Sequence, residues 1–207
     1  MVTIRDIPDS VWKKQFAPRC RMHATWRLTA IGLHRSATAC LETYRTAKDL
    51  SFRSIQQEIS SGKPTTGSRP MTQEEYDVCI DLTAIRTYML LMGLAIENLA
   101  KGILISANPA LVKDNISLDK SLRHHNLVKF VTLSGVTMSD KEGDVLRMLT
   151  EHVTWSGCYP APLSVEEIRP KEDSTGTWFQ PGTAASENEI ASVDRIYYRL
   201  LEKLNSV

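Results

Sequence analysis

The 207-residue sequence has little from which to build a covalent or metal framework. Its four cysteines, Cys20, Cys40, Cys79 and Cys158, stand far apart with no CxxC pair. Reduced thiols in a cytoplasmic protein are therefore expected rather than a disulfide scaffold. No secretory leader precedes them, and Asp6 and Asp9 occupy positions where organellar transit peptides avoid acids. The longest strongly apolar run, residues 88–96, ends at Glu97, short of the ~20 residues that cross a bilayer, so no membrane association is expected. Cys20 and His23 form half of a zinc site with no second half, and neither a metal nor a cofactor is expected. GxSxG, HExxH and a dinucleotide-binding glycine fingerprint are all missing. Gly62 and Gly67 have the spacing of a phosphate-binding loop, but Ser68 replaces the required lysine and Pro64 interrupts it.

Acids are also missing from one stretch. Residues 10–41 contain no Asp or Glu, yet they hold Lys13, Lys14, Arg19, Arg21, Arg27 and Arg35 with His23 and His34. The net charge of +1 is thus a balance between a basic first third and an acidic remainder. Such a field attracts phosphate backbones, which makes Arg21, Arg27 and His34 candidate RNA contacts. A solvated face, or one packed against the protein's own acidic half, would produce the same run.

Hydrophobic residues at 42% and charged residues at 24% are ordinary globular usage, enough for one domain over residues 1–207. The periodicity is helical throughout, with no repeat and no period-two strand. Residues 1–19 read as an irregular arm with a short helical piece at 10–16 stopped near Pro18. No proline occurs from Cys20 to Ile59, which predicts one long helix, or two broken near Gly32. Residues 60–70 (SSGKPTTGSRP) read as a linker. Thr72 with Glu75 forms a capping box ahead of Val78, Leu82, Ile85, Met89, Met92, Ile96, Leu99 and Ile103, eight apolar positions on one helical face. That helix is expected at the centre of a bundle. A shorter helix is predicted near 121–133, and capping boxes Ser139/Glu142 and Ser186/Glu189 open two more, the last over 187–205. Residues 163–185 read as a long loop. The fold class is all-α, a bundle with a long N-terminal helix or helix pair and a C-terminal helix packed back.

Three motifs follow in order. AIENLAKGILISANP at 95–109 resembles the Glu-x-x-x-Lys helix of the HEPN superfamily of helical domains, through Glu97 and Lys101. RHHNLVKF at 123–130 is similar to its His-Asp-Leu helix start, with Asn126 where Asp is common. WSGCYPAP at 155–162 resembles its Trp-x-Gly-Arg-Tyr-Pro ending, with Cys158 in place of arginine. The resemblance covers residues 75–165. It implies a helical bundle, a homodimer, and association with RNA or a nucleotide, often in prokaryotic defence or beside an antitoxin partner. Glu97, Lys101, Arg123, His125 and Tyr159 become ligand candidates on that basis. Each also has a structural alternative: an i,i+4 ion pair for Glu97 and Lys101, a helix-start contact for His125, and a chain-reversing plug for Tyr159 with Pro160.

Some members of that superfamily are metal-independent ribonucleases with an Arg-x(4–6)-His motif. Arg147 with His152 (RMLTEH) and Arg27 with His34 (RLTAIGLH) fit the spacing. Cleavage needs a histidine for proton transfer and an arginine for the developing phosphorane charge. On one straight helix Arg147 and His152 would point about 140° apart, and Arg27 and His34 would sit ~10 Å apart along the axis. The favoured expectation is therefore an RNA- or nucleotide-associated binding module without clear catalysis. A ribonuclease using Arg147 and His152, and a helical protein-interaction module, are the alternatives.

Overall fold

The computed structural model describes residues 9–61, 70–114, 116–156, 171–172, 176, 178–179 and 185–207. It is an all-α bundle, and one continuous core runs from Ala17 to Leu204. Most of the predicted linker and the Tyr159 motif lie outside the described residues.

Helix α1 covers Asp9–Arg21 and passes through Pro18, so this part of the expected irregular arm is helical. Proline removes one amide donor but does not prevent its own carbonyl from accepting. The Met22 amide reaches Pro18 O at 3.0 Å, and the helix breaks only there. The indole Nε1 of Trp26 donates to Cys20 O at 2.6 Å, satisfying a carbonyl beside the break. Helix α2, His23–Ser61, then runs 39 residues without interruption, about 58 Å at 1.5 Å per residue. Gly32 does not break it. Ala30, Ala37, Leu41, Tyr44 and Ala47 are its buried residues, and the alanines let α2 lie close along α4.

The Thr72 capping box forms as expected, with Glu75 N–H to Thr72 Oγ1 at 3.2 Å and Thr72 N–H to Glu75 Oε2 at 2.7 Å. The predicted single helix is, however, two: α3 over Gln73–Leu82 and α4 over Ala84–Ala107. Thr83 marks the joint. Its hydroxyl and its amide both go to Ile80 O, a tight local turn that competes with the helical ladder. The apolar stripe is correspondingly divided. Ile85, Met89, Met92, Ile96, Leu99 and Ile103 are buried, whereas Val78 and Leu82 are half-buried and α3 buries no residue fully.

Helix α4 is the centre of the bundle, enclosed by α2, α5 (Leu127–Leu133), α6 (Asp140–Glu151) and α7 (Glu187–Asn205). By length and composition alone Gln73–Ala107 is apolar enough to cross a membrane; in the fold its α4 part is the core helix of the bundle. Glycine lets the neighbours close in: a Cβ on Gly93 would sit 2.5 Å from Val153 Cγ2. After α4 come two 3-10 turns flanking a small antiparallel hairpin, β1 (Val112–Lys113) against β2 (Ser117–Leu118). Helix α5 starts at Leu127 rather than near 121, because Asn126 Oδ1 accepts the Lys129 amide at 2.9 Å and fixes the N-cap there. Helix α6 passes into a π-turn at His152–Ser156. Within the predicted long loop, β3 (Lys171–Glu172) pairs with β4 (Trp178–Phe179). Helix α7 packs back on α4 through Ile190, Val193, Ile196, Tyr197, Leu200 and Leu204, all buried.

Candidate functional site

The first two resemblance motifs meet around one carboxylate. Glu97 and Lys101, one turn apart on α4, are 6% and 8% exposed. Lys101 Nζ lies 2.6 Å from Glu97 Oε1 and 4.9 Å from the centroid of the Phe130 ring. The other carboxylate oxygen, Oε2, is 2.8 Å from Nδ1 of His125, whose side chain is 47% exposed. Burying an ion pair is tolerated only when its remaining bonding capacity is used, and here both oxygens are engaged and the ammonium rests on an aromatic face. A carboxylate only accepts, so Nδ1 of His125 carries the hydrogen. In the neutral ring the lone pair is then on Nε2.

The neighbouring histidine turns the other way. His124 stacks on Phe130 at 4.6 Å between centroids and 6° between planes. Its Nδ1 accepts the Asn126 amide at 3.2 Å, so the hydrogen is on Nε2, which is buried without a partner. Burial, followed by the charges of Lys129 and Lys101, pushes its pKa down. The sequence reading did not single out His124 or Phe130. Nothing in the His-His pair says which ring enters the core. Arg123 is exposed on the same turn, its Nε donating to Leu118 O at 2.8 Å, and Lys129 is exposed one turn into α5. Arg123 and Lys129 therefore give the 123–129 segment a cationic outer face beside His125.

The acid-free stretch divides in two. Lys13, Lys14, Arg19 and Arg21 on α1 and Arg35 on α2 are exposed. Lys13, Lys14 and Arg21 line a cleft of about 480 Å³ against Asp114 and Ile116 of the hairpin. Of the two residues expected beside them, His34 instead serves the packing of α2 on α7. Arg27 is half-buried with Nε enclosed and unpartnered. His34 stacks on Tyr197 at 4.3 Å and lies 4.0 Å from Asp194 Oδ1; burial lowers its pKa and the Asp194 charge partly offsets this.

Arg147 and His152 are not assembled as a catalytic pair within the chain. Arg147 is exposed and ion-paired to Asp144. His152 is fully buried, with Nδ1 3.0 Å from Met148 O, and burial pushes its pKa down. The 3.6-residue period turns one outward and the other inward. Among the described residues no three potential metal ligands come together, and Cys20, Cys40 and Cys79 are free thiols. Tyr159 and Cys158 lie outside the described residues. Compared with family models, with curated proteins and with solved structures, the chain finds no match.

Proposed function

We propose that the chain is a HEPN-like binding module for the phosphate groups of RNA or a nucleotide. The observation that carries this reading is the Glu97 carboxylate shared between buried Lys101 and half-exposed His125. The carboxylate orients the imidazole, so that Nε2 is available to a donor on a ligand, or to a phosphate oxygen once protonated. Arg123 and Lys129 add charge beside it, and the α1 cations supply longer-range attraction for a polyanion. A cytoplasmic homodimer in a defence setting, with an antitoxin-like partner, accompanies this reading through the resemblance alone. The ribonuclease alternative draws no support from Arg147 and His152 as placed.

The test is binding of labelled single-stranded RNA against salt. Affinity should fall with a log–log slope of about −0.7 for each phosphate neutralised. Lys13→Glu with Lys14→Glu should flatten the slope, and His125→Ala should weaken binding while the far-ultraviolet circular dichroism stays unchanged. Salt-insensitive binding, or equal binding by all three proteins, rejects the reading.

A further inference from the structure

Helix α2 has no buried residue beyond Ala47, and α3 packs against α2. The two helices form a hairpin several of whose apolar residues stay exposed. Between them lies a groove of about 670 Å³ whose apolar lining includes Leu50, Ile55, Met71 and Val78. Leu50, Ile55 and Met71 are each close to half exposed, and Phe52, Ile59, Tyr76 and Ile80 on the same hairpin are exposed as well. Exposed apolar surface of this extent marks a contact site on a folded protein. Among the described residues, the charged groups lining the groove are Glu74 and Glu75, while its α2 wall contributes Ser51 and Ser54.

We infer that this groove receives a basic amphipathic helix from a partner protein. Two antiparallel helices with an uncovered seam accept a third helix, which places apolar side chains at i, i+3, i+4 and i+7 into the seam. The charge is decided by α3, which carries Glu74, Glu75, Asp77 and Asp81 and no base. A second copy is the poorer occupant. In a two-fold pairing that sets groove against groove, Glu74 and Glu75 of one copy would approach a groove whose own charged lining is again Glu74 and Glu75. Lysine or arginine flanking the apolar stripe of a partner helix matches the groove on both counts. The inference is independent of the phosphate-binding reading, since it uses none of its residues.

A synthetic helical peptide with leucine at i, i+3, i+4 and i+7 and lysine at flanking positions is the probe, titrated by fluorescence anisotropy. A second peptide carries glutamate in place of every lysine. The lysine peptide should bind the full chain at least about tenfold more tightly than the glutamate peptide, with the difference shrinking as salt rises. Glu74→Lys should reduce that preference, and Ile55→Asp should abolish binding; both positions are exposed, and the dichroism of each variant reports folding directly. Lys13→Glu with Lys14→Glu should leave peptide binding unchanged. Equal affinity for the two peptides, undiminished binding by folded Ile55→Asp, or no binding of the lysine peptide overturns the inference. Sedimentation showing a dimer that Ile55→Asp converts to a monomer overturns it in favour of a second copy.

Discussion

Glu97 and His125 are 28 positions apart in the chain and 2.8 Å apart in the fold, joined by the carboxylate oxygen that Lys101 does not use. That contact ties the central helix α4 to the turn ahead of α5. It also makes the buried charge of Lys101 conditional on one acidic partner.

Removing either member of the pair alone should therefore be costly. Glu97→Gln or Lys101→Met strands one buried charge, with an expected loss of about 3–5 kcal/mol. The double variant Glu97→Gln, Lys101→Met removes both charges together and should recover most of that loss. Urea denaturation of the four proteins measures the coupling directly; additive losses would mean that the ion pair is solvated.

Two glycines should respond in opposite directions to alanine. A Cβ at Gly32 meets nothing within 4 Å on the exposed side of α2. Gly32→Ala should thus stabilise the chain by about 0.5–1 kcal/mol. At Gly93 the added carbon would lie 2.5 Å from Val153 Cγ2 and 3.3 Å from Leu149 O, so Gly93→Ala should destabilise by about 1–3 kcal/mol through overpacking. Thermal melts of both variants check the sign.

Stability should fall as pH drops below about 6.5, the ordinary histidine value. Burial holds His152 neutral in the folded chain, with the Arg86 charge acting in the same direction and the hydrogen bond to Met148 O opposing it. Between its lowered folded pKa and the unfolded value, the unfolded chain binds the extra proton, so stability rises with pH across that window and is fully present above it. The slope due to this group is at most about 1.4 kcal/mol per pH unit. Chemical denaturation at pH 7.5, 6.5 and 5.5 should show it, and a folded His152→Asn variant should have a flatter profile.

Much of the fold was legible because its signals are local. Each capping box closes within three residues, so Thr72/Glu75, Ser139/Glu142 and Ser186/Glu189 were readable as helix starts and form as such. The α4 and α7 stripes were readable because burying one helical face needs the same spacing whatever lies opposite. The joint at Thr83 was not. Apolar periodicity runs across it without a change, and only the threonine's bonds to Ile80 O mark it. The hairpin at Val112–Leu118 escaped notice because two-residue strands are too short for an alternating pattern.

The sequence by itself determined the helical class, the three capping boxes, the apolar faces of α4 and α7, and the excess of positive charge near the N-terminus, all of which depend on residue type and spacing within one segment. Tertiary structure alone decided the chemistry of individual side chains. It sent His124 inward onto Phe130 and left His125 on Glu97, buried His152 while exposing Arg147, and drew His34 into the contact between α2 and α7 while leaving Lys13 and Lys14 in solvent. The physical reason is that the burial and bonding of a polar side chain are set by what another segment places against it, and no spacing within its own helix contains that information.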